Sequence, residues 1–257
     1  MNLTSLARTK TYLGLTTVNS DAVVSQLIAR SSDQVSRWCS RSFQSANYSG
    51  ARLNGTGTRT LRIPDDPVLE VTAVTIGNTV IPTSADSIAS GYQHDAKYLY
   101  LFGGYAFPMG FRNILVSYSA GYVAQDSEFI PAAPGPYTVT PVAGGYASAD
   151  LGVTYTATGV ALALVGSAPS SGHYSFNGGV YTFAAADAGL QVTMSYDYVP
   201  GAVEQATIEI SGTMLKQRDN LGINSKGLAG ESISYSDKTL SESAKGLLAQ
   251  YRKVVAV

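Results

Sequence analysis

The chain has 257 residues, a formal net charge of −1 and a hydrophobic content of 45%, which is normal for a globular protein. The near-zero charge excludes a protein held to nucleic acid or membrane by its overall electrostatic field. With Cys39 as the only cysteine, neither a disulfide framework nor a cysteine-based metal site is possible.

Charge is unevenly distributed along the sequence. Residues 1–62 hold eight Lys or Arg and two Asp or Glu, whereas residues 63–200 hold two and ten. Two explanations are open: a β-rich surface covered by uncharged side chains, or a surface that packs against other copies and so avoids burying cations. The sequence lacks a signal-peptide pattern and an apolar run that could span a bilayer, so we expect a cytoplasmic protein without membrane contact.

Two helices are predicted near the N-terminus. Residues 4–13 form a short helical pattern that ends at Gly14, and residues 21–40 form a longer one with apolar side chains at helical spacing. Asn19 and Ser20 can cap the longer helix.

From Asn47 the pattern changes to that of strands. Residues 48–53 and 58–63 flank Asn54-Gly55-Thr56-Gly57, which predicts a β-hairpin. Further strands are expected at 69–76, 98–102 and 114–118.

An insertion is predicted between a strand and a helix. The strand at Val116–Tyr122 should be followed by a helix, yet a proline-rich linker and a strand-rich segment come next, and a helix starts only after Val199-Pro200. The simplest explanation is an all-β domain inserted at residues 125–197, because insertions into surface loops cost little.

The C-terminal part predicts a helix, an arm and a second helix. The helix over 201–218 has an apolar stripe and should pack against the helix that carries Trp38. Residues 219–238, the C-terminal arm, contain three glycines and only scattered apolar residues, so we expect them to lie along a partner surface. Thr239 and Glu242 have the spacing of a capping box for the last helix.

Three parts of the chain carry a resemblance to a known family. They are the N-terminal helical pair with Tyr12-Leu13-Gly14-Leu15 and Arg41-Ser42-Phe43, the strand Val116–Tyr122, and the C-terminal motifs Leu221–Ser225, Gly230–Tyr235 and Leu248–Arg252. Together they resemble the head–tail connector, or head-completion adaptor, proteins of tailed bacteriophages. The end of the insertion, residues 178–196, is similar to a small β-module of other phage structural proteins.

The resemblance implies a structural role in the neck of a virion. Members of that family form a ring, expected here to be a dodecamer, that docks under the portal protein at the capsid vertex. Such a ring extends the channel for double-stranded DNA and presents a surface to the tail or stopper protein. The protein would be present in the host cytoplasm during assembly and in the virion afterwards.

The resemblance also assigns roles to residues. Contacts with the portal or with neighbouring copies are expected from Gly230, Glu231, Ile233, Tyr235, Leu247, Leu248, Tyr251 and Arg252. Basic side chains that face the channel would make weak, sequence-independent contacts with DNA phosphates. The candidates are Arg30, Arg37, Arg41, Arg52, Arg59 and Arg62.

The predicted fold class is α+β. A helical adaptor core with a small antiparallel sheet, residues 1–124 plus 198–257, is interrupted by the all-β domain at 125–197.

Neither enzymatic activity nor a cofactor is predicted. The two histidines, His94 and His173, lie outside any metal-binding or nucleophile motif, and Asp65-Asp66 between prolines is typical of a turn. P-loop, Rossmann and nucleophile-elbow motifs are absent.

The alternative function is a virion adhesin or carbohydrate-binding module. Tyrosines of the insertion would then serve as stacking platforms for sugars, although cross-strand packing of the same side chains is the favoured explanation. These tyrosines are Tyr137, Tyr146, Tyr155, Tyr174 and Tyr181.

Overall fold

The computed structural model describes residues 1–218, 225–228, 231–234 and 240–253, with the backbone alone for the two short stretches between 225 and 234. Contacts divide the chain into two compact units. Unit 1 comprises Met1–Ser40 and Val123–Arg252, and unit 2 comprises Arg41–Tyr122 together with Lys253.

The described residues contain helices and a larger number of strands. The helices are α1 (Leu6–Leu13), α2 (Asp21–Cys39), α3 (Gly201–Gln217) and α4 (Glu242–Leu248). The strands are β1 (Ala46–Gly55), β2 (Thr60–Arg62), β3 (Val68–Ile76), β4 (Thr79–Ile81), β5 (Gly91–His94), β6 (Tyr98–Phe102), β7 (Gly110–Ala120), β8 (Val123–Phe129), β9 (Thr138–Val139), β10 (Gly145–Tyr155), β11 (Ala163–Leu164), β12 (His173–Asn177), β13 (Val180–Phe183), β14 (Gln191–Pro200), β15 (Ser225–Leu228) and β16 (Glu231–Ser234).

Short polar residues and glycine set the helix ends. The Ser5 hydroxyl accepts a hydrogen bond from the Arg8 amide at the start of α1, and Gly14 ends that helix with a left-handed φ of 66°. Ser20 makes no such side-chain bond at the start of α2. Ser241 caps α4, whereas the capping box predicted with Thr239 lies outside the described residues.

Helices α2 and α3 pack against each other, as the apolar stripes predict. Their buried contact includes a 2.7 Å hydrogen bond between the hydroxyls of Ser31 and Ser211. The N-terminal residues join this layer, because the Leu3 amide donates to the Ser32 hydroxyl at 3.0 Å. The buried serine hydroxyls of this layer therefore have hydrogen-bond partners inside the otherwise apolar contact between the two helices.

Glu204, in the first turn of α3, anchors helix α1. Its carboxylate accepts from Arg8 Nε at 2.6 Å and Nη2 at 2.8 Å, and from the Thr4 hydroxyl at 3.0 Å. The Arg8 guanidinium also lies 5.8 Å from the centre of the Tyr146 ring. An acidic side chain is favourable at this position because the N-terminal end of a helix is electropositive.

Two sheets, in which all strand pairs except β11–β12 are antiparallel, form the β part of unit 1. One has the strand order β10-β14-β8, and the other has the order β11-β12-β13-β9. A shared core of buried side chains includes Ile130, Val153, Tyr174, Tyr181 and Met194. Gly178 and Gly179 form the turn of a hairpin, in which β12 and β13 pair from Asn177 and Val180 outward.

Unit 2 also contains two sheets. The larger has the order β1-β7-β3-β4 and the smaller has β2-β6-β5, with a core that includes Ile63, Leu99, Phe107, Ile114 and Val116. The predicted hairpin at residues 54–57 is wrong, because β1 pairs with β7 and β2 pairs with β6. Gly57, at φ 77°, redirects the chain, and its amide binds the Phe107 carbonyl.

The predicted helical core with a small sheet is also wrong. Strand residues outnumber helical residues, and residues 46–120 build two sheets around a core of their own. The short strands β2, β4 and β5 carry too few residues for a period-2 pattern to reveal them. The predicted boundaries of the inserted domain, 125–197, stay a prediction, since this segment shares unit 1 with the helices.

Candidate interaction surfaces

The structure describes little of the C-terminal arm, which carries four of the predicted portal contacts. Gly230 and Tyr235 lie outside the described residues. Glu231 and Ile233 belong to strand β16, which pairs with β15, and only their backbone is described. Their portal contact stays a prediction.

The remaining predicted portal contacts surround the end of α4. Leu248 is buried inside the chain, whereas Leu247 and Tyr251 are half-buried. Arg252 is exposed, with its guanidinium 5.6 Å from the centre of the Trp38 ring. In this conformation Leu247, Tyr251 and Arg252 are accessible to a partner, and Leu248 is not.

Arg41, one of the predicted DNA contacts, is enclosed within unit 2. Its side chain is 8% exposed and pairs with Asp66, which is 10% exposed. Arg41 Nη1 also donates to the Asp66 carbonyl and the Tyr122 hydroxyl, each at 3.0 Å. Arg62, at 3.7 Å from the same carboxylate, adds a second cation. Arg41 cannot reach a DNA phosphate in this conformation.

Four of the predicted DNA contacts are exposed, whereas Arg62 is half-buried. Arg30 and Arg37 lie on α2 in unit 1, and Arg37 forms a surface ion pair of 3.0 Å with Asp33. Arg52, on β1, and Arg59, before β2, lie on unit 2. Whether these side chains face a DNA channel stays a prediction.

An exposed apolar tip lies at the start of β7, at residues that are not among the sites predicted from the sequence. We call Met109–Arg112 the tip. The Met109 and Phe111 side chains are 83% and 82% exposed, while nearby Phe107 is fully buried and fixes the base of the loop. Its sequence signal is the run Phe107-Pro108-Met109-Gly110-Phe111, which puts large apolar groups at a turn.

Side-chain hydrogen bonds hold the tip in one conformation. Asn113 accepts from the Gly55 amide at 2.9 Å and donates to the Pro108 carbonyl at 2.8 Å. Asn54 accepts from the Arg112 amide at 2.9 Å. Arg112 has a left-handed φ of 51°, and a Cβ at Gly55 would lie 1.9 Å from the Pro108 carbonyl oxygen. These contacts therefore hold Arg112 in a backbone conformation that is unfavourable for a non-glycine residue.

An open groove lies at the C-terminal end of α1 in unit 1. We call it the α1 groove; its volume is about 530 Å³, and its lining includes Leu6, Ala7, Thr11, Gly14, Leu15 and Asp21. At one side, Lys10 Nζ lies 2.5 Å from the Asp21 carboxylate and 2.9 Å from the Thr17 carbonyl. The groove is thus mainly apolar with one charged side.

The tyrosines proposed as sugar platforms are mostly buried. Tyr174 and Tyr181 are 2% and 0% exposed, and their hydroxyls donate to the Asp150 carboxylate at 2.5 Å and 3.0 Å. Tyr146 is buried too, while Tyr137 and Tyr155 are half-buried and pack on the same core. Buried rings cannot stack on a sugar, which favours the packing explanation.

These buried tyrosines should make the protein less stable in alkali. Burial, together with the Asp150 carboxylate, raises the pKa values of Tyr174 and Tyr181 above 10.0, and burial with the Asp126 charge raises the pKa of Tyr196 to about 12. Above pH 10 the unfolded chain loses these protons first, so the folded state loses stability as pH rises. Each buried tyrosine should lower the free energy of unfolding by about 1 kcal/mol at pH 11.

Urea unfolding between pH 8 and pH 11 tests the alkaline prediction. The double variant Tyr174→Phe, Tyr181→Phe should show a shallower decline in unfolding free energy than the parent, whatever its stability at pH 8. A decline of equal slope in the two proteins would contradict the prediction.

Catalytic and metal-binding arrangements are not found in the described part of the chain. His94 Nδ1 lies 3.3 Å from the Asp95 carbonyl, and His173 contacts only Ser170 and Ser171 through its Nδ1. No group of three His, Cys, Asp or Glu side chains could hold a metal ion there. None of the helices described is both long and apolar enough to cross a membrane.

A comparison with protein families shows which family this chain belongs to. A family model described as head completion protein matches residues 2–133, slightly more than half of the chain. This chain belongs to the head completion protein family. The match confirms the resemblance and spans α1, α2 and β1–β8, whereas α3, the C-terminal arm and α4 lie beyond it.

Comparisons with individual proteins add little to the family match. No curated protein is similar enough to this head completion protein to be matched. Among solved structures, it is similar to a chain from the neck of an empty GTA particle computed with C6 symmetry, with 11% identity and a TM-score of 0.39. That alignment covers 99% of this chain and 92% of the other, but the score is too low to establish a shared fold.

Proposed function

We propose that this protein is a structural head-to-tail adaptor of a tailed bacteriophage or a related particle. The observation that carries the proposal is the family match over residues 2–133. Copies form a ring, taken to be a dodecamer, that docks under the portal protein in the neck of the virion. The ring extends the DNA channel and presents the attachment surface for the tail or stopper protein.

The work of such a protein is interface formation, and it requires no catalytic group. Portal docking would use the C-terminal arm and the exposed side of the α4 end. Leu247, Tyr251 and Arg252 support this assignment, because they are accessible while Leu248 and Ala244 hold the helix in place. The exposed arginines Arg52 and Arg59 are candidates for weak contacts with passing DNA.

Surface substitutions at the end of α4 test portal docking. Removing the whole C-terminus would also expose the apolar surface under Ala244 and Leu248, so point variants are the sharper test. The double variant Leu247→Asp, Arg252→Glu should lower affinity for the portal ring at least about tenfold, because it reverses one charge and adds another at the contact.

The control for this experiment is Glu242→Lys at the exposed start of the same helix. Binding is measured by cosedimentation with the purified portal ring of the same particle, after circular dichroism has verified the fold. Equal binding by the double variant and the parent protein would show that the α4 end is not part of the portal interface.

A further inference from the structure

We propose that the tip of one copy inserts into the α1 groove of a second copy. This contact rests on the ring proposed above and identifies two surfaces through which its subunits would join. It differs from the portal contact, since neither the tip nor the groove includes any residue of α4 or the C-terminal arm.

The tip exposes apolar side chains on a backbone that is already fixed. Met109 and Phe111 leave most of their surface in water, although large apolar side chains usually gain by burial. Asn54 and Asn113 already fix the backbone that carries them, so little conformational entropy is lost on docking. Rigid, exposed apolar groups of this kind are typical anchors of protein interfaces.

The α1 groove can accommodate the side chains of the tip. Its volume of about 530 Å³ is large enough for a phenylalanine and a methionine side chain together, and Leu6, Ala7 and Leu15 provide apolar lining. Gly14, which also lines the groove, faces open space, because no other atom lies within 4 Å of the place where its Cβ would be.

Charge also suits the pairing of these two surfaces. The tip has one charged side chain, the exposed cation Arg112. At the groove, the Asp21 carboxylate is 32% exposed and already pairs through one oxygen with Lys10, which is 16% exposed and also bonded to the Thr17 carbonyl. Arg112 would share this carboxylate with Lys10 from its exposed side.

A second copy is the occupant that these features favour. A ring of more than two subunits requires a heterologous interface, in which two different surfaces of each copy join head to tail. The tip and the groove are two such surfaces, and they belong to different units of the chain. The same contact, repeated from copy to copy, would link the subunits of the ring head to tail.

Substitutions in the tip test its role in assembly. The double variant Met109→Ser, Phe111→Ser should raise the protein concentration needed for half-maximal ring formation on the portal at least about tenfold. The matched control is Val80→Ser, Ile88→Ser, which removes two apolar side chains that are 69% and 84% exposed elsewhere on unit 2. The control should assemble like the parent protein.

Cross-linking between copies tests the groove. A Phe111→Cys chain mixed with a Thr11→Cys chain should join through a short bis-maleimide linker in assembled rings, while Cys39 is buried and stays unreacted. An Ile88→Cys chain mixed with the Thr11→Cys chain should not join.

The outcomes separate this contact from the proposed function. Rings that form equally well with the tip variant, or that give no cross-link between residues 111 and 11, would overturn the tip–groove contact and leave the adaptor role standing. A parent protein that never assembles on the portal would overturn the adaptor role as well.

Discussion

Replacing Asp66 with Ala should lower the unfolding free energy of unit 2 by about 3–5 kcal/mol. The carboxylate is the partner of the nearly buried Arg41, and Arg62 lies beside it. Its removal leaves a guanidinium with little access to water, and Arg41 Nε already lacks an acceptor among the described residues. Breaking one side of an enclosed ion pair is costly because the remaining charge loses its compensation.

Hydrogen exchange of residues 46–120 measures this effect, because these residues form the strands of unit 2. Two variants serve as controls. Asp33→Ala removes the partner of the exposed Arg37 on α2 of unit 1 and, followed by hydrogen exchange of α2, should change stability by less than about 1 kcal/mol. The pair Arg41→Met, Asp66→Ala should lose less stability than Asp66→Ala alone. Equal losses for Asp66→Ala and Asp33→Ala would contradict a structural role for the Arg41 pair.

Replacing Asp150 with Ala should destabilise the β part of unit 1 by about 2–5 kcal/mol. The substitution leaves the buried hydroxyls of Tyr174 and Tyr181 without their acceptor, and each unsatisfied donor carries its own desolvation cost. The Gly152 amide loses a further bond of 3.1 Å.

Asp126→Ala is the matched control, since that half-buried carboxylate accepts from backbone amides, those of Ser127, Val142 and Ala143. Urea unfolding, with hydrogen exchange of strands β10, β12 and β13 as the local readout, should separate the two variants by more than 1 kcal/mol. If both lose the same stability, Asp150 is not the anchor of these tyrosines.

Periodicity in the sequence predicts the helices well, because α2 and α3 bury one apolar stripe each. Val24, Ile28 and Val35 on α2 and Val203 and Ile210 on α3 are all buried. The start of α3 after Pro200 also agrees with the prediction. Such local signals suffice because the spacing along one helix is decided by the helix itself.

Strand pairing could not be predicted in the same way. Asn54 and Gly55 predict a hairpin, yet Asn54 binds the Arg112 amide and Gly55 accommodates the Pro108 carbonyl. These partners lie more than 50 residues away, as in the 58-residue separation of the Asn54–Arg112 bond. Long-range contacts of this kind leave no periodic signal in the sequence.

The candidate interaction surfaces could be predicted only in part from the sequence, for the same reason. Arg41 looks like the other arginines in the sequence, and only the fold places it beside Asp66. Met109 and Phe111 look like core residues in the sequence, and only the fold shows that they are exposed at the start of β7. Exposure and pairing depend on tertiary contacts, so sequence alone gives the residue type but not its role.

The most direct test of the adaptor role is imaging. The purified chain is mixed with the portal ring of its own particle, and the product is examined by cryo-electron microscopy. We expect a closed ring of this protein on the portal, coaxial with the DNA channel and with the α4 end against the portal. A chain that stays monomeric, leaving the portal bare at micromolar concentrations, would contradict it.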